Sequence, residues 1–328
     1  MGQNDNIEVD PTLLEADGSD YASSGYDTST ASLSSSVNEY IFENGRRYHA
    51  YYGMEKNLMP TDEKEQDRMD LHHEIILLLL GGELHKAPIN PNPHKILDVG
   101  TGTGIWAIDM ADRYPSAEVI GVDLSPIQPR WVPPNCNFEV DDAELEWTYP
   151  SCNFDFIHFR NVAQGITKWP QVLSEAFRCM KPGAFIELSE SGAQLYSDDE
   201  SLPPSNPARQ WGERMTDAMA ASGRLAPVKG SLSSRLEAAG FVDVREFQLK
   251  QPFGPWAKSQ DLKKLGVMLL LQGEQGFHSY GMLAFVKLLG MDPAVADKLC
   301  KDAIMATKNK HTHAYAVHYV AYGRRPEE

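Results

Sequence analysis

Lys95-Ile96-Leu97-Asp98-Val99-Gly100-Thr101-Gly102-Thr103-Gly104-Ile105-Trp106-Ala107-Ile108-Asp109-Met110 reads as a strand, a glycine turn and a helix in direct succession. Glycines straight after an apolar strand let the backbone turn tightly and approach a ligand with no Cβ in the way. A ligand is therefore expected against Gly100, Thr101, Gly102 and Gly104. The nicotinamide fingerprint G-x-G-x-x-G would need glycine at position 105, where this chain carries isoleucine, and that departure disfavours NAD.

Moving outward, Val119-Ile120-Gly121-Val122-Asp123 ends in an acid at a strand tip, where a carboxylate can accept both hydroxyls of a ribose. That acid suits NAD equally. Phe138-Glu139-Val140-Asp141-Asp142-Ala143 then puts a carboxylate after the next strand, placed to accept from an adenine amino group. Asp98, two residues before the first glycine, suits a cofactor with an ammonium and a sulfonium centre better than one with a pyrophosphate. The three markers together point to S-adenosylmethionine.

Strand-like runs recur at 118–122, 137–140, 154–159 and 184–188, with a helical stretch over 171–180 before Lys181-Pro182-Gly183. Such alternation implies a parallel sheet with right-handed crossovers. Residues 241–249 and 313–322 alternate apolar and polar side chains as half-buried strands do, and the stretch between them reads as helical. A helical insertion inside a terminal antiparallel hairpin makes a lid over the sheet's carboxyl edge. Upstream, Asp62 to Gly81 reads as a helix capped by Thr61 or Asp62, stopped by Gly81-Gly82, and buried over its apolar end.

Composition narrows the function classes. With 328 residues, 42% of them hydrophobic, the chain can bury a full core. Lys and Arg number 30 against 46 Asp and Glu, a net charge of -16, which works against phosphate-backbone binding and makes nucleic acid an unexpected partner. Nine of the acids precede Arg46, and residues 1–36 are rich in Ser and Asp with few large apolar side chains, so an acidic disordered tail is expected there. No apolar run approaches the roughly 18 residues a membrane helix needs, and the polar, acidic start argues against a secretory leader. Cys136, Cys152, Cys179 and Cys300 form no CxxC pair, so neither a disulfide framework nor a zinc site is expected. His72, His73, His311, His313 and His318 lack the flanking pattern of metal ligands and read as ordinary histidines.

ILDVGTGTG, the acid at Asp123, Asp141 to Ala143, FDFIHFRN and MKPGAFIE resemble successive motifs of class I S-adenosylmethionine-dependent methyltransferases. ENGRRYHAYY, LMPTDEKEQDRMDLHHE and HAYAVHYVAYGRRP are similar to segments of the fungal LaeA-like methyltransferases, which extends the match to nearly everything after residue 37. The resemblance implies a Rossmann-like α/β fold with a seven-stranded sheet in order 3-2-1-4-5-7-6, the last strand antiparallel. It also implies a helical cap segment over 37–93 and a methyltransferase domain over 94–328, with a helical lid at about 258–308. Such proteins act in fungal secondary metabolism: some methylate small metabolites, while others are nuclear proteins associated with velvet-domain regulators. A cytoplasmic or nuclear location follows, with a small-molecule acceptor or a regulatory protein as partner.

Carried over residue by residue, the resemblance gives Asp98 the methionine ammonium, Gly100, Thr101, Gly102 and Gly104 the close backbone approach, and Asp123 the ribose. Asp142 and Ala143 take the adenine edge, and Arg46 or Arg47 the methionine carboxylate. Arg160 and Asn161, just past a strand end, face the same cleft. If the acceptor is a hydroxyl, a base near the transferred methyl assists, and His158 and Glu190 stand at the ends of the fourth and fifth sheet strands. Tyr48, Tyr51, Tyr52 and Trp169 are the aromatics expected to line an apolar acceptor pocket.

Overall fold

A computed structural model describes residues 40–53, 56 and 58–327; the expected acidic tail lies outside the described residues. The chain opens with a hairpin of β1 (Tyr40–Glu43) and β2 (Arg46–His49), followed by α1 (Glu63–Leu79). The main sheet begins with β3 (Lys95–Val99), α2 (Ile105–Arg113), β4 (Glu118–Asp123), β5 (Cys136–Val140) and β6 (Phe154–Arg160). It continues through α3 (Trp169–Cys179), β7 (Met180–Ser191), α4 (Pro207–Ala221), α5 (Ser231–Ala238) and β8 (Val242–Pro252). Two helices, α6 (Gln260–Leu289) and α7 (Pro293–Lys308), precede the last strand, β9 (Tyr315–Arg324).

Seven strands form one sheet in the order β5-β4-β3-β6-β7-β9-β8. Numbered within the sheet, this is 3-2-1-4-5-7-6, with β9 antiparallel to both neighbours and every other pairing parallel. Along β3, Ile96 packs on one face with Trp106 and Met110, while Leu97 and Val99 pack on the other with Phe159 and Leu173. Helices on both faces explain the run of apolar strand residues with no polar alternation.

Two expectations need correction. The segment over 37–93 is not helical throughout, because residues 40–49 form the β1–β2 hairpin. Arg46 on β2 ties that hairpin to α1 through two hydrogen bonds to Asp62, the residue whose side chain also caps α1. The last strand is not half-buried either. β9 is interior, with Val320 packed under Ile76 of α1 and Leu80 just past its end, and Tyr319 and Ala321 packed under Leu232 and Leu236 of α5.

The helices α6 and α7 form an insertion between β8 and β9 and share with α4 a core that includes Trp211, Met215, Phe277 and Phe285. Gly266 lets α6 sit directly on the end of the preceding strand. A Cβ there would lie 2.1 Å from the carbonyl oxygen of Gly254, whose N–H donates to the Gly266 carbonyl at 3.0 Å. The obstacle is backbone, which cannot swing aside. Gly266→Ala is therefore expected to destabilise by about 1–3 kcal/mol despite alanine's better helix propensity. Urea unfolding midpoints check this, and an unchanged or higher midpoint would mean that α6 is not seated there.

Candidate functional site

At the carboxyl ends of β3, β4, β5 and β6, the loops and α1 enclose a cleft lined by Asp98, Gly100, Thr101, Gly102, Asp123, Asp142, Ala143 and Arg160, among others. This brings together most of the residues expected to hold a cofactor. Gly100 adopts φ +74°, and a Cβ on it would meet Val162 Cγ1 at 2.2 Å, so only glycine lets the turn close this tightly. Gly102 N–H donates to Asp123 Oδ2 at 2.8 Å and Ser125 N–H donates to Oδ1 at 2.9 Å. Thr101 Oγ1 donates to Asp98 Oδ2 at 2.7 Å. Gly104 differs: it precedes α2 against the Phe138 ring and does not line the cleft.

Asp142 lines the cleft, with Lys56 Nζ 2.8 Å from one oxygen and the Glu144 N–H donating to the other at 2.9 Å. Arg160 Nη1 lies 3.0 Å from His73 Nδ1, and burial lowers the guanidinium's pKa. Arg46 and Arg47 take no part in the cleft lining. Arg46 is spent on Asp62 and on Ser279 of α6, and Arg47 on Glu63 and the Thr61 carbonyl. Besides Arg160, Arg68 of α1 brings a guanidinium to the lining. Arg68 donates through Nε and Nη2 to Glu65 Oε1, lies 4.9 Å over the Tyr280 ring, and leaves Nη1 buried without a partner.

A second cavity lies under α4 and α6, walled by Glu190, Trp211, Met215, Phe253, Leu269 and Phe277. His72, Asn161, Gln164 and Tyr280 belong to the walls of both cavities, so the two meet across these four side chains. Glu190 Oε1 accepts from Val162 N–H at 2.9 Å, and burial pushes its pKa up to about 7 against the pull of the Val162 and Ala163 N–H groups. A carboxyl with that pKa exchanges a proton readily near neutral pH.

His158, the other expected base, is placed elsewhere. Its ring stacks on Trp106 at 3.7 Å, its Nδ1 lies 2.8 Å from Asp98 Oδ1, and burial lowers its pKa to about 4. It lines neither cavity and serves to hold Asp98. The four expected pocket aromatics are likewise outside both walls. Tyr48 and Trp169 are core residues, and Tyr51 and Tyr52 pack edge to face on each other.

The sequence reading missed Arg68, His72, Gln164 and Tyr280. A signal existed on α1, where Glu65, Arg68, Met69 and His72 recur at helical spacing and all face the cleft. Both ring nitrogens of His72 and Oε1 of Gln164 are buried without a hydrogen-bond partner. Burial and the nearby Arg68, His318, Arg160 and His73 drive the His72 pKa well below its usual value, so the ring is neutral.

A family model described as a methyltransferase domain matches residues 66–246. The chain is 38% identical over 284 residues to methyltransferase pytC of Aspergillus terreus, covering 86% of this chain and 87% of that one. It is 35% identical over 299 residues to the secondary metabolism regulator LAE1 of Cochliobolus heterostrophus, covering 89% and 96%. A solved Haemonchus contortus phosphoethanolamine N-methyltransferase 2, in complex with S-adenosyl-L-methionine, superposes with TM-score 0.45 at 15% identity over 80% of this chain and 52% of that one.

Proposed function

The chain belongs to the S-adenosylmethionine-dependent methyltransferase family, and on that premise we propose that it methylates an oxygen or nitrogen of a small molecule seated in the second cavity. The observation that carries this reading is the shared wall of His72, Asn161, Gln164 and Tyr280 between the glycine-loop cleft and an aromatic cavity. Methyl transfer needs alignment at near-attack distance more than it needs bond activation, and two abutting cavities provide alignment.

The residues present fit the cofactor. Among the carboxylates that the cleft presents are Asp98, Asp123 and Asp142, and Arg68 offers it a buried guanidinium nitrogen, Nη1, without a partner among the described residues. A pyrophosphate beside Asp98 and Asp123 would face like charge, whereas an ammonium and a sulfonium are welcome there. Asp98 would take the ammonium, Asp123 the ribose hydroxyls, Asp142 and Ala143 the adenine edge, and Arg68 the carboxylate in place of Arg47. When bound, S-adenosylmethionine supplies an activated methyl group on a positively charged sulfur. His158 locks the Asp98 carboxylate from behind, and Glu190 receives the acceptor's proton.

A second reading, a regulatory role through a protein partner such as a velvet-type regulator, is favoured by the 35% identity to a named secondary metabolism regulator. Thermal unfolding separates the premise from its rivals. Ligand at about 100 times its Kd adds roughly 2.7 kcal/mol to native stability. S-adenosylmethionine and S-adenosylhomocysteine are expected to raise the melting temperature and NAD to leave it unchanged. Stabilisation by NAD alone would overturn the cofactor assignment. Stabilisation by the adenosyl ligands, with no small acceptor turned over in a broad panel, would favour the regulatory role.

A further inference from the structure

Among the described residues, His72, Gln164 and Gln251 on the second cavity carry buried polar atoms with no partner, and His72 and Gln251 lie in different parts of its wall. His72, 7% exposed, presents two unpaired ring nitrogens on the wall shared with the cofactor cleft. Gln251, 1% exposed, sits at the end of β8 outside that shared wall, and its side-chain Nε2 is unpaired. A buried donor or acceptor left unsatisfied bears its desolvation penalty with nothing to offset it, so each marks a place where a ligand atom belongs. The rest of the wall selects on charge. Among the described residues no Lys or Arg lines this cavity, and its one carboxyl is Glu190. An anionic acceptor would meet that carboxyl with no cation to offset it. The Trp211, Phe253, Phe277 and Tyr280 rings favour a flat apolar body.

We infer that the second cavity takes an uncharged aromatic acceptor whose hydroxyl or amino hydrogen is received by His72 and whose distal oxygen accepts from Gln251. The inference rests on the acceptor-site reading above and narrows it to a substrate class. His72 is suited to the role because burial, with Arg68 and Arg160 nearby, keeps its ring unprotonated and therefore able to accept. On this account the hydrogen bond to His72 orients the nucleophile toward the cofactor cleft, and once the methyl is on the acceptor that proton passes to the Glu190 carboxylate on the same cavity wall.

The test measures binding to the full chain saturated with S-adenosylhomocysteine, with naphthalene, naphthol, acetylnaphthol and naphthoate as probes. Naphthol is expected to bind wild type about tenfold more tightly than naphthalene, an advantage lost in His72→Phe. Acetylnaphthol is expected to gain further on wild type but not on Gln251→Leu, and naphthoate to bind no better than naphthalene. Should His72→Phe fail to melt cooperatively, His72→Leu, which adds no bulk, replaces it. Equal naphthol affinity in wild type and the His72 variant overturns the role of His72, and equal acetylnaphthol affinity in Gln251→Leu overturns that of Gln251. Naphthoate binding more tightly than naphthol overturns the uncharged class. If no probe binds while S-adenosylhomocysteine still stabilises the protein, the acceptor cavity itself is refuted and the cofactor cleft stands.

Discussion

Asp123→Ala is expected to weaken S-adenosylhomocysteine binding about a hundredfold while leaving a cooperative fold. Hydrogen bonds to a charged group contribute about 1.5–3 kcal/mol each, and a hundredfold corresponds to about 2.7 kcal/mol. The carboxylate acts twice. It accepts from the Gly102 and Ser125 N–H groups, which fixes the glycine loop, and its remaining lone pairs face the cleft where ribose hydroxyls would donate. The fold tolerates its loss because burial raises the Asp123 pKa, so the charge is held at a cost that alanine relieves. Asp123→Asn keeps an acceptor oxygen and should fall between wild type and alanine. Calorimetric titration decides the matter, and an alanine variant within about twofold of wild type would remove Asp123 from the cofactor site.

How far the sequence reached follows from how local each feature is. The strand, glycine turn and helix over 95–113 are contiguous, so their reading needed no knowledge of the rest of the chain, and the strand-tip acids followed from the same unit. His158 was misread because the question was one of register. Asp98 and His158 are direct neighbours on parallel β3 and β6, so the carboxylate captures the imidazole inside the sheet, and one-dimensional spacing cannot show that pairing. β9 was read as half-buried because its alternation is real, yet helices cover both of its faces. The polar stripe on α1 was legible as a helix face, but a Glu, an Arg and a His at such spacing look the same whether they meet water or a cleft. Their meaning came only from the fold, which lays α1 across the carboxyl edge of the sheet and buries the stripe.

That placement also explains why the acceptor side was harder to read than the cofactor side. The cofactor cleft is built from successive βα loops of one repeating architecture, so its residues are spaced as the strands are. The second cavity is assembled from α1, the loop after β6, the end of β7, α4, the end of β8, α6 and the start of β9, so that its residues range from His72 to Ala316. The aromatics expected to line a pocket lie in the N-terminal segment and at the start of α3, whereas the rings that do line it, Trp211, Phe253, Phe277 and Tyr280, come from α4, the residue after β8 and α6.

Glu190→Gln is expected to make the protein more stable above neutral pH and at the same time slower. The sign follows from linkage. Burial raises the Glu190 pKa from 4.5 to about 7, so between those values the folded state holds a proton that the unfolded state has released. Stability from this group is complete below about pH 4.5 and is lost as pH rises through about 7, amounting to of order 3 kcal/mol. Glutamine occupies the same space, keeps an oxygen to accept from the Val162 N–H, and carries no charge to bury. Urea midpoints at pH 5 and pH 8 should therefore converge in the variant relative to wild type. Convergence is expected to be incomplete, because Glu187, also pushed up to about 7 and accepting from the Lys86 and Ala87 N–H groups, titrates in the same window. An unchanged difference between the two midpoints would mean that Glu190 does not titrate there. Loss of a general base typically lowers the rate about 10²–10⁴-fold, and the wild-type rate should rise with pH through about 7 as the carboxylate forms. A scaffold residue would show the opposite pairing, since removing it would slow the enzyme by loosening the fold. A variant that is both firmer and slower identifies a carboxyl retained against the interest of stability, and the proton it carries is then the acceptor's.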